Sequence, residues 1–348
     1  MSLYAYDRIG PNRYRERFGF SFEDLRVGMH IRHRPGVDVS QQDNRDEALD
    51  LINNAHLHFD SHYAAQTEWQ RPLGVSTITV QRLFGMVSRS WYRRRAILGI
   101  DSIAMTRPMF GGDTLYSESI VTALDAGTDA DVGIASLTID GINQRGETIS
   151  KIACRIEIYR QGRHPEDAPN IEPAEEERFN LYHQDPAGAL VEQTGLWFED
   201  MTAGETFVHW PGRTIGFEES RQHALRSLEI NPRWHDAAFL TRHPAFAPTV
   251  FEPLVIGLVT ALTTRTLGRV VANLGWTGVE LPRSVKPGET IYAESTINQV
   301  RGSQSRPTQG IAQVETRGYV ASGELVCRYH RALLVYRRGA GPYAAAGY

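Results

Sequence analysis

The strongest constraint on what this chain can fold into is an internal repeat. Phe22-Glu23-Asp24 recurs as Phe198-Glu199-Asp200, an offset of 176 residues. Pro72 recurs as Pro248 and Leu98-Gly99 as Leu274-Gly275, at the same offset. The run from Gly112 to Ser119, GDTLYSES, returns as Gly288 to Ser295, GETIYAES. Later pairs, Gly146-Glu147 with Gly323-Glu324 and Tyr159-Arg160 with Tyr336-Arg337, stand 177 apart. A nearly constant offset over more than a hundred residues means two copies of one structural unit.

The stretch between the copies, His164 to Gly195, carries Glu-Asp-Ala-Pro, a run of three glutamates and several alanines. That composition reads as a surface linker. The division is therefore residues 18–163 for a first domain, 164–193 for a linker and 194–338 for a second domain. Within the first copy Val80, Leu83, Phe84, Val87 and Trp91 follow the spacing of one helical face. Val255, Leu258, Val259 and Leu262 repeat it in the second. Strand-like segments follow the first helix at Thr114 to Leu124, Val132 to Ile142 and Ile149 to Arg160. In the last, Ile152, Cys154, Ile156 and Ile158 alternate with more polar neighbours, as on a half-buried strand. One long apolar helix followed by a meander of long strands predicts an α+β unit, an antiparallel sheet wrapped around a helix.

Composition removes several classes of function. With 41% hydrophobic and 22% charged residues, the 348-residue chain can bury a sizeable core. A net charge of −4 gives no electrostatic reason to expect nucleic acid or an anionic membrane as partner. The charged N-terminal twenty residues lack the apolar core of a secretory signal, and no apolar run reaches the roughly 20 residues of a membrane span. Two cysteines, Cys154 and Cys327, both in strand-like runs, read as buried thiols rather than a disulfide. The expectation is a cytoplasmic protein.

The chemistry concentrates in residues 42–64. Asp43-Asn44 stands ahead of His58, which opens His58-Phe59-Asp60-Ser61-His62-Tyr63-Ala64. A carboxylate and an imidazole brought to one water can add it across an activated double bond or remove it. This HxDxxYA run, the Pro-initiated helix after it and the later GDTL strand start resemble the MaoC-like, (R)-specific enoyl-CoA hydratase family. The duplication, the long gap before His58 and Asn143-Gln144-Arg145-Gly146-Glu147 resemble its double-hot-dog branch, nearest the mesaconyl-CoA hydratases. The resemblance implies two tandem hot-dog units, with Asp43 and His58 as the catalytic pair. It implies a backbone N–H at Ser76 as donor to the thioester oxygen, with Val75 and Asn44 beside the substrate. Ser76 and Val75 depart from the family's usual residues there, as does Gln42 before Asp43, where a glycine is usual. The implied reaction is reversible hydration of a 2-enoyl-CoA, with mesaconyl-CoA as the candidate substrate and no metal or other cofactor. The implied partners are the acyl-CoA and a second copy of the chain.

Other readings compete on particular residues. His56, His58 and His62 with Asp60 resemble metal-ligand spacing, which would make the chain a metal-dependent hydrolase. A thioesterase or a non-catalytic acyl-CoA-binding protein would use the same fold. In the second copy Asp43 maps to Glu219 and His58 to Trp234, with His235 one step on, so a second pair would need altered spacing. That half is expected to be non-catalytic. Arg93, Arg94, Arg95, Arg107 and Arg283 are the arginines singled out for CoA phosphates, with no means of choosing among them.

Overall fold

The computed structural model describes residues 3–168 and 171–348. In chain order the first half contains β1 (Tyr6–Gly10), β2 (Arg13–Glu16), β3 (His30–Val39), α1 (Gln41–Asp50), α2 (Ser61–Ala64), α3 (Ser76–Met86), β4 (Arg94–Met105), β5 (Asp113–Asp125), β6 (Val132–Asn143) and β7 (Thr148–Tyr159). There follow β8 (Glu172–Pro173), β9 (Tyr182–Gln184), β10 (Leu190–Glu192), β11 (Thr206–Thr214), α4 (Phe217–Arg226), α5 (Ala237–Arg242), α6 (Glu252–Leu262), β12 (Val270–Glu280), β13 (Thr290–Gly302), β14 (Gln309–Val320) and β15 (Leu325–Tyr336).

Two sheets result. One runs β4-β7-β6-β5-β3-β10-β9, the other β12-β15-β14-β13-β11-β2-β1-β8. The long strands of each pair antiparallel. Each sheet curls around one apolar helix, so the chain is a double hot-dog of the α+β class. On α3, Ile78, Leu83 and the following Val87 and Trp91 are buried against Leu115, Leu137, Ile139 and Ile152. On α6, Val255, Leu258, Val259 and Leu262 do the same against Ile291, Val326 and Tyr329. A fully buried side chain of this size stabilises by about 1.5–3 kcal/mol, so the helices are held by packing rather than by propensity. Both Phe-Glu-Asp motifs dock on a glycine of the meander. A Cβ at Gly133 would lie 2.4 Å from the Phe22 ring, and one at Gly310 would lie 2.2 Å from Phe198.

The region expected to be a bare linker is built into the sheets. The β9–β10 hairpin, from residues 182–192, joins the first sheet through a parallel pairing of β10 with β3. Its repeat-equivalent, the β1–β2 hairpin, lies before residue 18 and joins the second sheet through β2 and β11. Each half therefore receives its outer hairpin from a segment that precedes the other half's main strands or follows its own. Buried clasps fix both crossings. His33 bonds Glu192 through Nδ1 (3.0 Å) and Ser119 through Nε2 (2.8 Å). His209 bonds Glu16 (3.0 Å) and Ser295 (3.0 Å) in the same way. Burial by itself raises the Glu192 and Glu16 carboxyls, but the histidines, joined by Arg89 on Glu192 and Arg265 on Glu16, more than offset it and hold both below the ordinary carboxylate range.

Cys154 and Cys327 are free and buried, and burial pushes both thiols up to about 11. Among the described residues no helix is long and apolar enough to cross a membrane.

Candidate active site

Three backbone segments meet at the start of α3, and one side chain joins them. Asn44, fully buried on α1, donates from Nδ2 to the carbonyls of His58 (3.0 Å) and Leu73 (3.0 Å). Its Oδ1 accepts from Val75 N–H (2.6 Å). Every strong bond of that amide goes to the protein, so Asn44 acts as a positioning residue rather than as a substrate contact. Gln41 adds a second bond to the His58 carbonyl (3.2 Å).

The clamp sets the His58 ring. Its Nδ1 lies 2.9 Å from the Leu73 carbonyl. A carbonyl only accepts, so Nδ1 carries a proton, and in the neutral tautomer Nε2 is the nitrogen left to accept one. His58 ends a short turn of three residues, His56–His58, and Asp60 caps α2 by accepting from Tyr63 N–H (2.9 Å). The histidines do not converge. The His56 ring sits beside Phe59 and Tyr63, and His62 is exposed. Among the described residues no three ligating side chains gather as a metal site would need.

The backbone ahead of α3 has its donors occupied up to one residue. Leu73 N–H bonds Leu57, Gly74 N–H bonds Met109, and Val75 N–H bonds Asn44. Ser76 is the first helical residue, where N–H groups have no intrahelical partner and face the positive end of the dipole. It borders a cavity of about 290 Å³ with Trp69, Gly74, Thr79, Met105 and Met109. Val75 itself is buried.

Asp43 faces elsewhere. Successive helical residues point about 100° apart, and where Asn44 turns toward His58, Asp43 turns back on the start of α1. Its Oδ2 accepts from Ser40 N–H (2.9 Å) and Ser40 Oγ (2.7 Å), while Ser40 Oγ accepts from Asp43 N–H (3.0 Å). These bonds, led by the Ser40 hydroxyl and helped by Arg82, hold the carboxyl below its ordinary range. Oδ1 is 3.9 Å from Arg82 and borders a second cavity, of about 760 Å³. Thus α1 and the 56–58 turn come together through Asn44, and Asp43 and His58 make no hydrogen bond to one another.

The second half keeps the frame with different side chains. Ser220, equivalent to Asn44, accepts from Phe251 N–H (2.9 Å) as Asn44 does from Val75. Trp234 takes the place of His58 and is buried edge-on against Phe251. Glu219 is ion-paired with Arg213 and makes no bond to His235. Most of the arginines singled out from the sequence have carboxylate partners too: Arg93 with Asp167, Arg95 with Glu157, Arg107 with Glu147 and Arg283 with Glu289. The larger cavity is lined by Arg34, Arg82, Arg89 and Arg265, none of which the sequence reading singled out and which no local pattern marks.

Residues 182–347 match the family described as mesaconyl-CoA hydratase. The mesaconyl-CoA hydratase of Cereibacter sphaeroides is 33% identical over 158 residues, 44% of this chain and 44% of that protein. That of Haloarcula hispanica is 26% identical over 148 residues, 42% and 41% of the two chains. The chain thus spans less than half the length of the curated relatives it matches. A conserved Mycobacterium tuberculosis protein described as a double hot-dog is similar over 91% of this chain and 99% of that one, at 21% identity and a TM-score of 0.38.

Proposed function

We propose that this chain, whose second half is a mesaconyl-CoA hydratase family domain, reversibly hydrates a 2-enoyl-CoA thioester, with mesaconyl-CoA the first substrate to try. The observation that carries the reading is the fixed tautomer of His58 on the segment clamped to the start of α3. A single buried amide aligns a basic Nε2 and an open helix N-terminus within one framework. In this reading His58 Nε2 takes a proton from water as the oxygen attacks the β-carbon. Charge that develops on the thioester oxygen is met by the Ser76 N–H. The α-carbon then gains a proton, and dehydration runs the same steps backwards. Asp43 stays in this reading as the carboxylate partner that the resemblance implies, and because it caps α1 and faces the larger cavity it must turn from Ser40 to share a water with His58. Only water and protons move, so the chemistry asks for no redox cofactor.

A homodimer belongs to the same proposal. Strands β4 and β12 are repeat-equivalent, and each pairs on one side only, with β7 and β15. Their outer faces carry Ile100 (41% exposed), Ile103 (46%), Leu274 (53%) and Trp276 (46%). Long apolar edges of this kind are ordinarily covered. Pairing of β4 with β12 of a second copy covers both, and it walls the Ser76 cavity, which Met105 at the end of β4 already borders.

The test is the absorbance of the enoyl thioester with mesaconyl-CoA and crotonyl-CoA, alongside release of free CoA. Loss of the double bond without CoA release supports hydration. CoA release in its place moves the protein to the thioesterase reading.

A further inference from the structure

The 760 Å³ cavity runs along α3 and is electrically polarised. Toward the start of the helix its wall is acidic: Asp43, Asp46, Glu47 and Asp50 stand on α1, and Glu47 accepts from Thr77 and Gln81. Past the C-terminal end the lining is basic. Arg89 and Arg265 share the Phe18 ring, 5.8 and 5.9 Å from its centre. Arg34 joins them from the middle of β3.

Arg34 is the anomaly. It is only 5% exposed, yet among the described residues no carboxylate lies within ion-pair distance of it. Its Nη1 and Nε donate to the carbonyls of His33 (2.8 Å) and Gly347 (3.0 Å), and Tyr116 and Tyr348 flank its guanidinium. Burial, reinforced by Arg32, pulls its pKa down, the signature of a charge short of compensation. The repeat sharpens the point. Trp210 occupies the equivalent position, stacked on Tyr292 as Arg34 sits over Tyr116. The first half has a charge where the second has an indole. Nearby, Arg89 donates to the Gln193 carbonyl and, among the described residues, its Nε makes no hydrogen bond; it acts on Glu192 only through space, whereas the equivalent Arg265 is bonded to Glu16. A buried guanidinium without a counter-charge is costly to retain, so a partner that brings the charge is the natural complement.

We infer that Arg34 and Arg89 form the oxyanion-binding end of this cavity and receive the 3′-phosphate of a CoA thioester. The inference rests on the acyl-CoA reading for the identity of that ligand. The acyl carboxylate of mesaconyl-CoA lies too near the reacting double bond to reach past the far end of α3 while the thioester sits at Ser76. The acidic α1 wall repels the phosphate, which orients the ligand with its nucleotide end away from Asp43.

The experiment is equilibrium binding by calorimetry of mesaconyl-CoA, crotonyl-CoA and 3′-dephospho-CoA to the wild-type protein and to Arg34→Gln, Arg34→Lys and Arg89→Gln. Thermal unfolding of each variant identifies any that fails to fold. The expected result is at least tenfold weaker binding to Arg34→Gln and Arg89→Gln, partly restored by Arg34→Lys. The loss is expected for both acyl-CoAs and not for 3′-dephospho-CoA; a loss confined to mesaconyl-CoA overturns the phosphate assignment. Unchanged affinity for all three ligands in folded glutamine variants overturns the inference, as does wild-type protein that binds none of them. Hydration by the wild-type enzyme is measured separately, so an arginine-dependent site without activity rejects the hydratase reading and keeps the site. Hydration that is indifferent to both arginines does the reverse.

Discussion

Removing the Asn44 side chain separates positioning from stability. In Asn44→Ala the Val75 N–H loses its partner in a buried place, a cost of about 1–3 kcal/mol. The two carbonyls fare better, because His58 O still accepts from Gln41 and Leu73 O from the His58 ring. The expected loss is therefore about 2–4 kcal/mol, set mostly by one orphaned donor. Ser220→Ala orphans the equivalent Phe251 N–H and is expected to cost about 1–3 kcal/mol. Activity divides them. Releasing the 56–58 turn from α1 shifts the His58 ring, and a misplacement of about 1 Å costs about a hundredfold in rate. Urea titrations with enoyl-CoA hydration assays on both variants give the comparison. Two destabilised proteins, of which only Asn44→Ala loses about a hundredfold in kcat, is the predicted outcome. Equal activity in the two variants refutes the assignment of Asn44 as the clamp of the site.

Further consequences follow from the same geometry. Asp43→Asn is expected to lower kcat by at least tenfold with little change in stability, since an amide still caps α1 through Ser40; a steady-state comparison checks this. The Glu192 carboxyl is held below its ordinary 4.5, so below that value the unfolded chain takes up protons first and stability falls as pH falls. Glu192→Gln should flatten this acid limb and destabilise the protein at neutral pH, as read by denaturant titrations from pH 3 to 7. On the open edges, Ile100→Lys together with Trp276→Lys is expected to give a monomer by light scattering where the wild type is a dimer. A wild type that is monomeric at micromolar concentration removes the dimer proposal.

Much of the architecture was legible because it is written in periodicity. The apolar face of Leu83, Val87 and Trp91 and the alternation at Ile152 to Ile158 are local patterns, and the repeat doubled each of them. The helix nonetheless ends at Met86 and gives way to a tighter turn at Val87–Arg89, which side-chain spacing does not resolve. The crossed hairpins were not legible. Strands of three to five residues carry little pattern, and which sheet they join depends on His33 meeting Glu192 159 residues away. At the candidate site, HxDxxYA is a local motif that can be seen in the sequence, but the work of Asn44 is tertiary and shows only when three segments meet. Ser40 and Asp43 form a capping box at the start of α1, which the sequence reading passed over and which holds the carboxylate in place. Which arginines lack acids is a property of the folded surface, beyond any one-dimensional reading.

The most direct measurement is the rate of mesaconyl-CoA hydration by His58→Gln, a folded variant whose amide carbonyl or amino group still fits the space but has no basic nitrogen. A fall of at least a hundredfold in kcat, with thioester binding retained, is the result the proposed chemistry predicts. Hydration at the wild-type rate in that variant contradicts it.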